Sequence, residues 1–197
     1  MAARRERVRA FISIDIEEPV LVSRLVQLRD AIVATGVPMK PVEDENLHIT
    51  LRFLGEIPAS LVDEIYNNVL AKLVFEKFRI KLVGLGAFPH VTRPRVVWVG
   101  VRDGSEILQK IYEEIERGLR RLGFKPEREQ FVPHVTLARI KGSRNIERLV
   151  KMLQEYSEFE IGEMVVESIR LKQSILTPRG PIYRTLREVK AGEAKLA

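Results

Sequence analysis

Cysteine is absent from this chain of 197 residues, and histidine is scarce, with three. The first absence excludes a disulfide scaffold, a thiol nucleophile and any zinc centre built on thiolates. With so few histidines a metal site would have to lean on carboxylates, yet neither an HExxH helix nor a paired-aspartate loop occurs. A serine nucleophile elbow is missing too. So is a phosphate loop, because Gly84-Leu85-Gly86 is not followed by the lysine and helix such a loop requires. No stretch approaches the roughly 20 apolar residues of a spanning helix. The apolar run 11–14 is broken by Asp15 and Glu17 and is too short for the core of a secretory leader. The expectation is a cytoplasmic protein with no membrane association, no bound metal and no cofactor.

What is present is enough for a core. Hydrophobic residues make up 45% of the chain, which at this length suits one large domain or two small lobes. Lys+Arg 33 against Asp+Glu 27 leaves a net charge of +6, which favours an anionic partner, nucleic acid foremost.

Hydrophobic periodicity predicts strands over 8–14, 46–54, 78–83, 95–101, 131–140, 159–166, 168–176 and 182–189. Helices are predicted over 20–34, 59–73, 107–122 and 144–156. The glycine- and proline-rich segment 84–94 reads as a loop, and Thr177-Pro178-Arg179-Gly180 as a hairpin turn. Residues 190–197 read as a frayed tail. Both halves run strand, helix, strand, helix, strand at a nearly constant offset, with His134 lying 86 residues after His48. The fold class expected is α+β, a single bilobed domain over 1–197 with duplicated halves 1–93 and 94–189. Each pseudo-symmetric lobe is a small, mostly antiparallel sheet backed by helices, and the two face each other across a central cleft.

Every histidine is followed two residues later by threonine, as His48-Ile49-Thr50, His90-Val91-Thr92 and His134-Val135-Thr136, although threonine occurs only 6 times. On a strand, residues i and i+2 share a face, so His48 with Thr50 and His134 with Thr136 each offer an imidazole beside a hydroxyl. The alternate residues Leu47, Ile49, Leu51, Val135 and Leu137 then point into the core. His90 falls between Pro89 and Pro94, where no strand is expected, and off the repeat, which leaves it outside the pair. Two imidazoles with ordinary pKa near 6.5 can divide base and acid roles at neutral pH, and the threonine hydroxyls can hold phosphoryl oxygens. Such a set suits phosphodiester cleavage without metal.

The segments RAFISIDI, ENLHITLRFLGEI, FPHVTRPRVVWVGV, FVPHVTLARI and LKQSILTPRGPIYRTL together resemble the two-histidine phosphoesterase superfamily. Within it they resemble the RNA 2′,3′-cyclic phosphodiesterases, also called 2′-5′ RNA ligases. The likeness spans nearly the whole chain, with HITL and HVTL as the defining tetrads. It implies both tetrads lining a cleft and hydrolysis of RNA 2′,3′-cyclic phosphate ends to 2′-phosphomonoesters. It further implies His48 as proton donor, His134 as proton acceptor, and RNA, tRNA fragments included, as the partner of a monomer. Arg139 resembles a phosphate-contacting arginine of the family. Strict alternation puts it on the face opposite His134, so it needs a bulge or a strand end to reach the cleft.

Arg52 shares strand parity with His48 and Thr50 and could bind phosphate or pair with a carboxylate. Arg93, Arg95, Lys141 and Arg144 border the motif strands and could guide an RNA backbone. Phe11, Phe53 and Tyr183 could stack a base, although core packing is the commoner role of such rings. Two further readings stay open: a ligase joining cyclic phosphate and 5′-hydroxyl ends with the same residues, and a non-catalytic RNA-binding module. The latter would need no matched histidines. His48→Ala and His134→Ala are each expected to lower turnover of a cyclic phosphate by about 100-fold or more, the scale of a lost general acid or base. His90→Ala should keep most of it in the same assay. Equal loss in all three would show that the repeat offset selects the wrong pair.

Overall fold

Alternating and continuous runs of β-branched residues make the strands of this chain, and charged amphipathic stretches make the helices. The computed structural model describes residues 6–192. In chain order the elements are β1 (Arg7–Asp15), α1 (Pro19–Val33), β2 (Met39–Pro41), β3 (His48–Pro58), α2 (Leu61–Asn68), β4 (Phe78–His90) and β5 (Arg93–Val101). They continue as α3 (Ser105–Arg121), β6 (His134–Ile140), α4 (Ile146–Glu155), β7 (Glu160–Val166), β8 (Ser168–Thr177) and β9 (Gly180–Lys190). Among the described residues no helix is long and apolar enough to cross a membrane.

The strands form one curled antiparallel sheet in the order β7-β4-β5-β6-β3-β1-β8-β9, with β2 added beside β6. The α+β class and the mostly antiparallel pairing are as expected. The sheet has two four-stranded wings, which meet where β3 and β6 share a single residue pair, Ile49 with Val135. The wings interleave the chain. β4, from the first half, pairs with β5 and β7, while β8 and β9, from the end of the chain, complete the wing of β1 and β3.

Leu47, Ile49, Leu51, Val135 and Leu137 are buried in one core with Leu21, Leu25 and Ile32 of α1, Ile65 of α2 and Ile111 and Ile115 of α3. Burial on that face leaves His48, Thr50, His134 and Thr136 on the other. Alternation along the motif strands thus sets which face of the sheet carries polar groups.

Three expectations need correction. The segment 84–94 is strand and hairpin, because its glycines and prolines have local uses within the pairing. Gly84 (φ 84) sits in an irregularity between Leu82 and Leu85, and Pro89 pairs with Pro94 at the hairpin end, where a missing N–H does little harm. His90 ends β4 opposite Arg93 and is exposed. The helix expected over 59–73 stops at Asn68 and gives way to a 3-10 turn at Leu70–Lys72, after two asparagines of low helix propensity. Lys190 closes β9, and Ala191 and Gly192 donate to the carbonyls of Glu167 and Phe75, so the tail is held at its start. The remainder of 190–197 lies outside the described residues.

Gly86 lies flush against the ring of Trp98, where an added Cβ would overlap Cη2. That slot holds the Trp98 ring beside Phe88, with centroids 5.0 Å apart and the ring planes tilted by 40°. Gly86→Ala is expected to lower unfolding free energy by about 1–3 kcal/mol, the usual scale of overpacking, in a urea titration. An unchanged midpoint would mean that Trp98 can tilt freely.

Candidate active site

The pair Ile49–Val135 decides the geometry. With these two opposite each other in antiparallel strands, His48 falls beside Thr136 and Thr50 beside His134, about an approximate twofold axis. All four line one cavity of about 520 Å³.

The rings are held by main chain. Nδ1–H of His48 donates to the carbonyl of Asn46 at 2.7 Å, and that of His134 to the carbonyl of Val132 at 2.6 Å. A carbonyl only accepts, so both neutral rings carry the lone pair on Nε2. Nε2 of His48 accepts from the Thr50 hydroxyl at 2.9 Å. Burial lowers the proton affinity of both imidazoles. The bonds to Asn46 and Val132 oppose this, and the Arg139 charge adds to it at His134. Aromatic rings supply much of that burial. Phe11 and Tyr183 lie 5.2 and 5.3 Å from His48, and Phe88 and Trp98 lie 5.0 and 5.7 Å from His134.

Both motif strands bulge at the residue after the threonine. Against β1, Arg52 pairs with Ile12 and Thr50 with Ser13, leaving out Leu51; against β5, Ala138 pairs with Val97 and Thr136 with Trp98, leaving out Leu137. Each bulge shifts the alternation by one residue. Arg139 thereby returns to the cavity face, as its reach required, and Phe53, its counterpart 86 residues earlier, is 48% exposed there. Strict parity fails for Arg52. It still touches the cavity wall, but its guanidinium is bound to Glu116 of α3, to Glu127 at 2.9 Å and to the carbonyls of Phe53 and Lys125. Four of its five donors are used, which leaves little for a phosphate.

Tyr183 lines the cavity, and its phenol is held neutral by burial. Phe11 packs beneath it, fully buried. Arg93, Arg95, Lys141 and Arg144 are exposed and do not line the cavity, and neither does His90. Periodicity could not find Lys40, which pairs with Arg139 on the three-residue β2 and supplies a second cation, or Tyr112 and Phe131, whose rings stack at 4.4 Å in the cavity wall.

Residues 21–172 match the profile of the 2'-5' RNA ligase superfamily. The chain belongs to that superfamily. A relative from Aeropyrum pernix named RNA 2',3'-cyclic phosphodiesterase is 59% identical over 174 residues, 88% of this chain and 98% of its own. A protein of the same name from Archaeoglobus fulgidus is 39% identical over 180 residues, 91% and 98% of the two chains. Among solved structures, TT0787 of Thermus thermophilus is similar with a TM-score of 0.75 at 28% identity, over 92% of this chain and 97% of that one. E. coli LigT complexed with 3'-AMP shares the fold, with a TM-score of 0.73 at 23% identity over 95% and 99% of the two chains.

Within this superfamily fold the two cavity arginines have separable parts. Arg52 and Glu116 have side chains 10% and 6% exposed, so Arg52→Met strands a buried carboxylate and is expected to cost about 3–5 kcal/mol in chemical denaturation. Arg139→Met should stay within about 0.5 kcal/mol of the parent. It should, however, weaken binding of inorganic phosphate by about tenfold in calorimetry. Loss of phosphate binding with Arg52→Met alone would reverse the assignment.

Proposed function

We propose that the protein hydrolyses RNA ends bearing a 2′,3′-cyclic phosphate to 2′-phosphomonoester ends, by acid–base catalysis without metal. The observation that carries this reading is the matched pair of imidazoles, each held through Nδ1 with Nε2 as its working nitrogen, across one strand pair in one cavity. Relatives of nearly full coverage with the name RNA 2',3'-cyclic phosphodiesterase support the substrate class. His134, the acceptor, takes a proton from water as the water oxygen bonds to phosphorus. His48, the donor, protonates the ribose 3′ oxygen as its bond to phosphorus breaks. Thr50 and Thr136 donate to the non-bridging oxygens, and Arg139 balances their charge. The reading takes 1–197 as one bilobed domain with duplicated halves 1–93 and 94–189. It places the protein in the cytoplasm as a monomer, with tRNA fragments among its substrates.

An oligonucleotide ending in a 2′,3′-cyclic phosphate, incubated with the protein and EDTA, is expected to acquire a 2′-phosphate end. A 3′-phosphate product, or activity lost to EDTA and restored by a divalent ion, would overturn the mechanism. Adding a 5′-hydroxyl oligonucleotide tests ligation, since the same groups would serve a ribose hydroxyl in place of water.

The pH profile follows from the lowered proton affinities. His48 must be protonated, and that population falls as pH rises through a value below the ordinary 6.5; His134 must be neutral, which it is above its own lowered value. The optimum of kcat/KM is therefore expected on the acid side of pH 6.5. Bound phosphate favours imidazolium, so the optimum of kcat should lie at higher pH. The two limbs belong to the coupled pair. A kcat/KM optimum well above 7 would rule out this assignment.

A further inference from the structure

The two wings repeat each other around the histidines, but the strands beside them differ. Opposite His48 on β1 stands Asp15; opposite His134 on β5 stands Gly100. One strand further out, β8 brings Arg170 beside Ser13 and Lys172 beside Phe11. The corresponding positions on β4 bring Gly86 beside Trp98 and Phe88 beside Val96. His134 thus sits among rings, whereas His48 has rings on one side and a charged floor on the other.

That floor is built around Asp15. One carboxylate oxygen accepts from Lys172 Nζ at 2.7 Å and from Arg170 Nη1 at 2.7 Å, and the other accepts from the Ser13 hydroxyl at 3.3 Å. The Lys172 side chain is 7% exposed, with Nζ 5.6 Å from the centre of the Tyr183 ring. Arg170 also holds Glu17 and Glu188, which fixes it from behind. None of these groups takes part in the chemistry proposed above, and the burial of Asp15 and Lys172 carries a desolvation penalty that their pairing must offset.

We infer that Asp15 is a positioning residue for the proton donor: fixed opposite His48 by Lys172 and Arg170, its carboxylate holds the proton on His48 and marks one of two matched histidines as the acid. The inference rests on the functional reading above. Four titratable groups face His48: Asp15 from β1, Lys172 from β8, Tyr183 from β9 and His134 from β6. Asp15 favours the imidazolium, Lys172 and His134 disfavour it, and the Tyr183 phenol is uncharged at neutral pH. Burial alone would raise the proton affinity of Asp15, but its bonds to Lys172 and Arg170 outweigh this and keep it ionised. At His134 no carboxylate takes this place, and the charge that acts there, Arg139, opposes protonation. The halves therefore differ in sign at the one position that distinguishes acid from base.

The test follows the imidazole resonances of the free protein by NMR across pH, assigned with the His90→Ala and His134→Ala variants. Asp15→Asn is expected to lower the His48 midpoint by about half a pH unit or more, the scale of removing one nearby charge, and to leave His134 within about 0.2. Lys172→Met should raise it, since Asp15 then acts with less opposition. Should Asp15→Asn fail to fold with Lys172 buried unpaired, the comparison of Lys172→Met with Asp15→Asn/Lys172→Met isolates the same charge, and the midpoint must fall between those two. A His48 midpoint unmoved by loss of Asp15, or a His134 midpoint moved equally, overturns the inference. The alkaline limb of kcat/KM should track the His48 midpoint. A midpoint that moves while the limb stays would support the coupling and overturn instead the role given to His48.

Discussion

A single main-chain pair, Ile49 with Val135, is the constraint on which the rest of this molecule depends. Both residues are fully buried, and they are the only direct partners that β3 and β6 offer each other. Beyond this point the strands part, and β6 continues beside β2 instead. One pair suffices to set the register, and in an antiparallel sheet a slip of either strand by one residue would turn that strand's histidine and threonine toward the helices. The buried face of β3 and β6 therefore determines the chemistry of the exposed face.

Around that pair the fold tolerates buried charge where orientation is needed. Arg52 with Glu116 anchors the middle of β3 to α3, and Asp15 with Lys172 and Arg170 forms the floor behind His48. Replacing a buried ion pair with packed apolar residues often leaves stability unchanged or improved, so neither cluster is explained by stability alone. Both lie next to a motif strand and hold its side chains in one arrangement. In the proposed reaction an anionic phosphate bound between the two imidazoles favours the imidazolium that burial disfavours.

The bulges at Leu51 and Leu137 show how duplication and divergence act together. Both fall after the threonine, at the same 86-residue offset as the histidines. The residues that the bulges turn toward the cavity differ: Phe53 on one side, Arg139 on the other. The imidazoles, the hydroxyls and the bulges thus repeat between the two motif strands, while the side chains beyond the bulges do not. β4 and β8 cross between the wings, so each wing contains both early and late parts of the chain, and neither half of the sequence is a wing by itself.

Local pattern alone determined a good deal here. The alternation in NLHITL and HVTL assigns a buried and a polar face to each motif strand, and the offset selects His48 and His134 over His90, because period and repeat are properties of neighbouring residues. The α+β class is legible for the same reason. Other features arise from distant residues and could be decided only by the tertiary structure. Glycine and proline in 84–94 signalled a loop, yet the Trp98 ring and the Pro89–Pro94 pairing make that segment strand. Alternation put Arg52 with the histidines, until the bulge at Leu51 gave it to Glu116, 64 residues away. Lys40, Asp15 and Lys172 carry no motif, since a cation on a three-residue strand and an ion pair spanning 157 residues take their meaning from the sheet that brings them together.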